Sequence, residues 1–373
     1  MTIVVACAAF KGSLTATEAC RHAAEGARRA FPHEEIVTFP VADGGTGSLD
    51  VMRHIGAHLE PITVTGPVGR PAATHFAALD PDSAFVEMAD ACGLLKLPGN
   101  TPAPLDSSSF GLGEAILAAL DSGRPNILCG IGGSASTDGG TGMAAALGAR
   151  FLDDDGRPLP PGGRELHRLS SIDLSGLDER IANARITIAC DVDTPLLGAD
   201  GSAAVFAPQK GATADDIELL ERGLARLAQI ASPLGAEPDY PGAGAAGGVG
   251  FMARLLGWDL RQGFEALSHL TGLEYSIAGA NLVLTGEGRL DDQTAHGKAP
   301  MGVAELGREH GVPVWAVCGK LDLGAERVRA AGFAGAAALA DIAEVEEEAF
   351  NRAGPLLAEL TAALLADTAR TAD

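Results

Sequence analysis

The chain has 373 residues, of which 46% are hydrophobic, so it can form large cores and has room for about two or three domains. Its formal charge of −22 argues against nucleic acid as a partner, because nucleic-acid phosphates require a basic surface. Aromatic residues make up 4% of the chain, which does not indicate a large protein interface built on aromatic anchors.

The start of the chain is predicted to be a buried strand. Residues 1–10 are apolar but lack the basic first segment and the small-residue cleavage site of a signal peptide. No stretch of the sequence approaches the length of a membrane span. The six cysteines have no C-x-x-C spacing, so we expect buried, reduced thiols in a cytoplasmic protein without a membrane partner.

Strands and helices alternate at the start of the chain. The predicted elements are a strand over 3–6, a helix over 15–30, a strand over 36–40 and a short helix over 48–55. Thr15 and Glu18 form a capping-box pattern at the start of the first helix. This order is typical of strands that lie parallel in one sheet.

The middle of the chain has a different pattern. Three strand-like pieces follow one another closely between residues 63 and 88, which indicates antiparallel pairing. After a Pro/Ser-rich stretch, the predicted elements are helices over 112–120, 143–147 and 214–231 and strands over 126–129 and 185–190.

The last part of the chain returns to alternating strands and helices. Strands are predicted over 281–285, 312–318 and 334–340, and helices over 301–309, 326–331 and 345–369. We expect residues 1–64 and 276–373 to form a doubly wound parallel α/β sheet of Rossmann or flavodoxin type. Residues 65–275 are then expected to form a mixed α/β domain inserted into it.

Lysine is scarce in this chain and stands next to glycine more often than composition predicts. There are five lysines, and four of them have a glycine neighbour: Lys11, Lys210, Lys298 and Lys320. A compact ammonium in a place where glycine lets the backbone come close suits an anionic oxygen such as a phosphate.

Two of the chemistry-bearing segments follow the first two predicted strands. Lys11 lies in F-K-G-S-L-T, where amides at a helix start and a lysine can bind an anion, although an ordinary turn would look similar. Asp43 lies in A-D-G-G-T-G-S and can hold Mg²⁺ or orient a hydroxyl, although Asp-Gly is also common in turns.

The longest glycine-rich segment spans residues 130–142 and has six glycines in thirteen positions. So much glycine lets backbone N–H groups converge on phosphate oxygens. Asp191 and Asp193 stand at the end of a later strand, where their spacing of two residues puts both carboxylates on the same face, and they are either metal ligands or a solvated strand end. Lys210 precedes a helix with Thr213 at its N-cap and can present a charge to an anion.

Two further segments are glycine-rich. The stretch 285–300 carries acids, an arginine and a lysine at the end of a strand, and we interpret it as functional. The stretch 242–248 satisfies G-x-G-x-x-G, but it does not follow a strand, so the dinucleotide-binding context is missing. The sequence contains no Walker P-loop.

These segments together resemble the type I glycerate kinases, a bacterial family. The matching stretches are F-K-G-S-L-T-A (10–16), A-D-G-G (42–45), G-I-G-G-S-A (130–135), D-G-G-T-G-M (138–143), A-L-G-A-R-F (146–151), C-D-V-D with P-L-L-G (190–198), P-Q-K-G-A (208–212), A-G-G-V-G (246–250), and T-G-E-G-R-L-D-D-Q-T with G-K-A-P (285–300). The resemblance implies ATP-dependent phosphorylation of D-glycerate, at the 2-hydroxyl. For this reaction we expect Mg²⁺ held by carboxylates. This chain departs from the family pattern at Ala8-Ala9 and Thr46, where acids are usual, and at Thr137.

The residues and the resemblance together predict a role for each candidate. The predicted catalytic residues are Lys11, Asp43, Asp291 and Lys298, and the predicted substrate ligands are Ser13, Gly44, Gly45, Arg289 and Gln293. The predicted nucleotide ligands are Gly132, Gly133, Ser134, Asp138, Gly139 and Lys210, and the predicted metal ligands are Asp191, Asp193 and Glu287.

Three alternatives stay open at this point. The protein is a kinase of another small hydroxy acid, a non-catalytic nucleotide-binding or metabolite-binding regulator, or an NAD-dependent hydroxy-acid dehydrogenase that uses residues 242–247. The regulator would explain the missing acids, whereas the dehydrogenase lacks the strand that should precede residues 242–247. The sequence leaves open whether the chain forms a homo-oligomer.

Overall fold

A computed structural model of the chain describes residues 1–291 and 299–371. It divides into two compact units, one made of Met1–Asp43 with Phe264–Asp373 and the other of Gly44–Gly263. The domain boundaries expected from the sequence, after residues 64 and 275, lie further along the chain and stay a prediction.

The described strands and helices are numbered in chain order. The strands are β1 (Thr2–Cys7), β2 (Glu35–Thr38), β3 (His58–Thr65), β4 (Pro71–Ala78), β5 (Ser83–Glu87), β6 (Asn126–Gly130), β7 (Arg150–Leu152), β8 (Ser171–Asp173), β9 (Arg185–Ala189), β10 (Asp259–Arg261), β11 (Leu282–Leu290), β12 (Val314–Leu321) and β13 (Gly335–Ala338). The helices are α1 (Ala16–Ala30), α2 (Ser48–His54), α3 (Met88–Cys92), α4 (Phe110–Asp121), α5 (Thr141–Ala146), α6 (Ser202–Phe206), α7 (Ala214–Ala231), α8 (Ala245–Leu255), α9 (Gly263–Thr271), α10 (Leu273–Ala278), α11 (Ala299–His310), α12 (Ala325–Ala330), α13 (Glu346–Asn351) and α14 (Ala353–Thr371).

The first unit is built on a parallel sheet with the strand order β13-β12-β11-β1-β2. From the central pair β1 and β11, the chain adds β2 on one side and β12 and β13 on the other. The direction of winding therefore reverses between β1 and β11. Such a switch point leaves a crevice at the carboxyl ends of the two strands, where open α/β sheets bind their ligands.

Alternate residues of β1 belong to two separate cores. Val4 and Ala6 pack into a cluster that includes Val303 of α11, whereas Ile3 and Val5 pack into a cluster formed with α1 and α14. Because successive side chains of a strand point to opposite faces, both faces of this sheet are covered by helices. This arrangement confirms the predicted doubly wound parallel fold.

The capping box expected at the start of α1 is present. The Glu18 amide donates to Thr15 Oγ1 at 3.2 Å, and the Thr15 amide donates to the Glu18 carboxylate at 2.9 Å. The single helix expected over 345–369 is wrong, because the structure has α13 and α14 with a break at Arg352. Pro355 explains the break, since proline fits the first turn of a helix but not its interior.

The second unit is built on a mixed sheet with the strand order β10-β9-β6-β5-β4-β3. The antiparallel pairing predicted between 63 and 88 is confirmed for β3 with β4 and for β4 with β5. The remaining strands are parallel, and their register aligns Glu87, Gly130 and Ala189 at one edge. The loops that follow β5, β6 and β9 therefore start from a common edge of the sheet.

The expectation of reduced cysteines agrees with the structure. All six are free thiols, and all but Cys190 are buried. Among the helices described here, none combines the length and the apolar character needed to cross a membrane.

Candidate active site

Lys11 and Ser13 lie in a short turn between β1 and α1. The backbones of Phe10 and Leu14 are hydrogen-bonded in both directions across this turn, at 2.9 and 3.0 Å. Gly12 has a φ of +82°, a left-handed conformation that glycine adopts without strain. Ser13 Oγ donates to the Phe10 carbonyl at 3.1 Å, whereas Lys11 is exposed. The turn therefore holds the Lys11 side chain just beyond the carboxyl end of β1.

Glu287 and Arg289 lie inside β11 rather than in a loop after it. The sequence predicted a strand that ends at residue 285, but β11 continues to Leu290. A Cβ atom on Gly288 would lie 3.3 Å from the backbone nitrogen of Lys11. The end of β11 and the turn after β1 are therefore close neighbours at the switch point of the sheet.

Arg289 is oriented by an acid that the sequence analysis missed. Its Nε donates to Asp322 Oδ2 at 2.6 Å, and Asp291 Oδ2 lies 3.8 Å from the same nitrogen. The Arg289 side chain is 59% exposed, so these contacts orient the guanidinium rather than stabilise the fold. The available signal was weak, because Asp322 lies four residues beyond the strand predicted over 312–318, whereas β12 continues to Leu321.

The remaining predicted residues of the first unit are Asp43, Gln293 and Lys298. Asp43 is half-buried and ends the first segment of this unit. Gln293 and Lys298 lie outside the described residues. The structure thus brings Lys11, Glu287 and Arg289 to one edge of the parallel sheet.

In the second unit, two glycine segments pack backbone against backbone. A Cβ atom on Gly130 would lie 2.5 Å from the Gly44 carbonyl oxygen, and one on Gly132 would lie 2.6 Å from Gly45 Cα. The Gly132 amide also donates to the Gly44 carbonyl at 3.2 Å. Any larger residue would push the segments apart. The glycines predicted to bind substrate and nucleotide are neighbours for this reason.

The glycine-rich segment 130–142 exposes only its tip. Gly133 is exposed and Gly132 is half-buried, whereas residues 134–142 are all buried. Ser134 is 6% exposed. We call Gly132, Gly133 and Ser134 the loop tip. Of the predicted nucleotide ligands, Gly133 is exposed and Gly132 is half-buried, whereas Ser134, Asp138, Gly139 and Lys210 are buried.

Asp138 is fully buried and accepts hydrogen bonds from several parts of the chain. Its carboxylate receives the Ser109 amide at 2.8 Å and the Ser109 hydroxyl at 2.9 Å. It also receives the amides of Gly140 at 3.1 Å and Gly142 at 3.2 Å. A buried carboxylate is tolerated when hydrogen bonds replace its water, and this one joins the glycine-rich segment to the start of α4.

Lys210 is buried beneath the same segment, in a short 3₁₀ turn that precedes α7. Its Nζ donates to Ser134 Oγ at 3.0 Å and also to the carbonyl of Ser136. Burial lowers the pKa of Lys210 to about 8, and the negative charge of Asp138 opposes this shift. The buried ammonium therefore holds the glycine-rich segment by hydrogen bonds on its interior side.

The second glycine-rich stretch, 242–248, packs against the first. A Cβ atom on Gly247 would lie 2.1 Å from the Ser136 carbonyl oxygen, and one on Gly248 would lie 2.7 Å from Gly139 Cα. The Gly139 amide donates to the Gly247 carbonyl at 2.8 Å. Close backbone packing, rather than a dinucleotide, thus accounts for this G-x-G-x-x-G pattern.

Glu87 is a second buried acid that the sequence analysis missed. It ends β5, and its carboxylate accepts the amides of Gly47 at 3.0 Å and Leu49 at 2.7 Å. Burial raises the pKa of Glu87 to about 7, and these two hydrogen bonds oppose the shift. An acid at the end of an apolar strand was the available signal. Glu87 holds the loop that carries Gly44 and Gly45.

The predicted metal ligands Asp191 and Asp193 follow β9, which ends at Ala189. The strand alternation expected to put them on one face therefore does not apply. Asp191 accepts the Gly263 amide at 2.6 Å and is half-buried, whereas Asp193 is exposed. Within the described ranges, no three His, Cys, Asp or Glu side chains come close enough to hold a metal ion by themselves.

Comparisons with known proteins cover almost the whole chain. A sequence model of the glycerate kinase family matches residues 3–369. The chain is 42% identical over 359 residues to a glycerate kinase of Bacillus subtilis (strain 168), covering 95% of this chain and 94% of the relative. It is 43% identical over 326 residues to a glycerate 2-kinase of Escherichia coli (strain K12), covering 86% of each.

The fold is also similar to that of a solved structure. A crystal structure from Salmonella typhimurium LT2, described as a candidate glycerate kinase 2, superimposes with a TM-score of 0.84 at 37% identity. The match covers 100% of this chain and 99% of that chain. Sequence and fold therefore point to the same group of proteins.

Proposed function

Because the chain belongs to the glycerate kinase family, we propose that it transfers the terminal phosphoryl group of ATP to the 2-hydroxyl of D-glycerate. The family assignment confirms the resemblance seen in the sequence and makes the protein a kinase that phosphorylates glycerate. Three points go beyond the family assignment and are proposed: that ATP is the phosphoryl donor, that Mg²⁺ takes part, and that the 2-hydroxyl is the acceptor. The match over residues 3–369 is the observation that carries the proposal.

We propose that the loop tip is where the nucleotide phosphates bind. The amides of Gly139, Gly140 and Gly142 already donate to protein acceptors, so they are engaged within the fold. The exposed backbone at Gly133 is better placed to meet a phosphate. Exposed backbone amides can bind an anion without a dedicated side chain.

Lys11 and Arg289 supply positive charge for the glycerate carboxylate and the transferring phosphoryl group in this proposal, together with Lys298. Phosphoryl transfer depends mainly on positioning and charge neutralisation, so exposed cations at a sheet switch point suit it. Ser13, Gly44, Gly45 and Gln293 stay proposed substrate ligands. Asp43 or Asp291 would accept the proton of the attacking hydroxyl.

Carboxylates that suit Mg²⁺ are present in both units: Asp43, Asp191, Asp193 and Glu287. Mg²⁺ is commonly held by one or two carboxylates together with substrate phosphates, so a complete protein cage is not required. We propose that one or two of these residues bind the ion, which would neutralise phosphate charge when bound.

A coupled assay of ADP release tests the proposal. With ATP, Mg²⁺ and D-glycerate, the protein should release ADP, and NMR of the product should show 2-phosphoglycerate. Release of ADP with another hydroxy acid but not with D-glycerate would contradict the proposed substrate. Nucleotide binding without any acceptor-dependent release would favour the regulator instead.

Single substitutions test the residue assignments. We expect Lys11→Ala, Asp291→Asn and Lys298→Ala each to lower kcat/KM by about a hundredfold or more, because each removes a charge or a base next to the reacting groups. Lys96→Ala is the matched control, since the Lys96 ammonium pairs with Asp90 and should leave the rate near that of the wild type. Near-wild-type rates for the first three variants would refute the assignments.

Two properties stay predictions from the composition. A cytoplasmic location follows from the cysteine usage, and the absence of a nucleic-acid partner follows from the charge of −22. The formation of a homo-oligomer is left open.

A further inference from the structure

Lys210 is an unusual residue for this chain because its ammonium is almost completely removed from water. The residue is 3% exposed, although lysine is among the residues that are rarely buried. A buried charge is costly unless it is hydrogen-bonded and faces an opposite charge. Asp138 provides that opposite charge.

The contacts of Lys210 all lead to the glycine-rich segment. Its two acceptors, Ser134 Oγ and the Ser136 carbonyl, flank Ala135 and lie directly after the exposed Gly133. The lysine itself belongs to the turn Pro208–Lys210. It therefore ties the loop tip to a part of the chain that is distant in sequence.

Asp138 and Ser109 tie down the other end of the segment. Asp138 accepts amides from Gly140 and Gly142, so it closes the turn that starts α5. Ser109 donates its hydroxyl to Asp138 and accepts the Met143 amide at 2.9 Å. One carboxylate and one hydroxyl thus join the starts of α4 and α5 to the segment.

A chain with six glycines in thirteen residues does not hold one conformation by itself, because glycine has the largest backbone freedom to lose. The buried contacts of the segment supply what its own sequence lacks. They also leave Asp138 and Lys210 out of reach of a ligand, since both are almost fully buried.

We propose that Lys210, Asp138 and Ser109 are positioning residues that hold the loop tip in the conformation that binds the nucleotide phosphates, without touching the nucleotide themselves. This inference rests on the proposed nucleotide-binding function of the loop tip. It changes the role expected for Asp138 and Lys210, which the sequence analysis assigned as direct nucleotide ligands.

Hydrogen exchange of the ligand-free protein tests this proposal. In Lys210→Met, peptides covering 130–143 should exchange about tenfold faster than in the wild type, whereas peptides covering β3, β4 and β5 should not change. The Lys210 ammonium is a hydrogen-bond donor only, so faster exchange would report a loosened loop rather than a lost acceptor. Lys96→Met is the matched control and should leave exchange over 130–143 unchanged.

Binding of ADP, measured by calorimetry, gives the second readout. Lys210→Met and Asp138→Asn should each weaken the Kd for ADP by about tenfold, in parallel with the faster exchange. The double variant should weaken it by less than the product of the two single effects, because both residues act on the same segment.

Other results would overturn the proposal. Weaker ADP binding with unchanged exchange over 130–143 would make Lys210 a direct ligand, and faster exchange throughout the second unit would make its role generally structural. If Lys210→Met does not fold, Ser109→Ala decides, because it removes one hydroxyl and should still speed exchange at Gly140 and Gly142. If the wild type does not bind ADP, the proposed nucleotide-binding function is refuted. The exchange results would still test whether Lys210, Asp138 and Ser109 hold the loop tip.

Discussion

At the scale of the residue, burial shifts the pKa of two titratable side chains in the second unit. Glu87 is 3% exposed, and its pKa is raised to about 7, chiefly by burial. Lys210 is also 3% exposed, and burial lowers its pKa to about 8. Both shifts favour the neutral form, as expected when a charge leaves water. Both side chains nevertheless form hydrogen bonds with the backbone of glycine-rich loops.

The raised pKa of Glu87 predicts a pH dependence of stability. The native state holds the Glu87 proton up to about pH 7, whereas the unfolded chain loses it near the ordinary value of 4.5. The free energy of unfolding should therefore fall as pH rises through this window. Relative to Glu87→Gln, the wild type should lose roughly 3 kcal/mol between pH 4 and pH 8, measured by denaturant titration.

Glu18→Gln is the control for this experiment. The pKa of Glu18 is lowered, chiefly by the hydrogen bond from the Thr15 backbone, so its contribution is present above pH 4.5 and is lost as pH falls. Its removal should change the pH profile in the opposite direction to that of Glu87. A Glu87→Gln profile parallel to the wild type would show that Glu87 ionises normally in the fold.

At the scale of the element, glycine serves two different purposes in this chain. Some glycines, such as Gly235, only supply a left-handed turn, since nothing lies within 4 Å of a Cβ added there. Others, such as Gly247, also let two backbones approach closely. The sequence does not distinguish these cases, because it does not show which backbone segments the fold brings next to a glycine.

Two alanine substitutions separate these purposes. Gly235→Ala, at a φ of +86°, should cost about 1–2 kcal/mol of stability from backbone strain alone. Gly247→Ala, at a φ of +74°, should cost roughly 3 kcal/mol or more, because its Cβ atom would lie 2.1 Å from the Ser136 carbonyl. Denaturant unfolding measures both, and equal losses would show that the second unit adapts to the added atom.

At the scale of the whole molecule, the two units differ in how they use the chain. The sheet and the core of the second unit are formed entirely by residues between 44 and 263. The first unit needs both ends of the chain, since β1 pairs with β11 and its two cores combine residues from both segments. The second unit is one continuous segment of the chain, whereas the first consists of two segments.

This difference predicts that residues 44–263 fold on their own. The isolated fragment should give a cooperative thermal transition by calorimetry, because it keeps its complete sheet and core. Residues 1–43 alone should stay unfolded, since β1 loses its pairing with β11. A fragment 44–263 without a cooperative transition would contradict this prediction.

Much of the fold and part of the site could be predicted from the sequence. The alternation of short apolar runs with capped helices is a local pattern, so the doubly wound sheet and the capping box at Thr15 followed from it. The family motifs led to the glycerate kinase assignment in the same way. Pro355 was visible too, but the helical pattern around it hid the break between α13 and α14.

Only the tertiary structure decided which polar residues are accessible. Asp138 and Lys210 lie in segments that look like ligand loops, yet their hydrogen bonds to Ser109, Ser134 and Ser136 place them inside the second unit. The same holds for Gly247, whose neighbour at residue 136 is more than a hundred positions away in sequence. Periodicity and motifs depend on neighbours along the chain, whereas burial and close backbone contact depend on residues that the fold brings together.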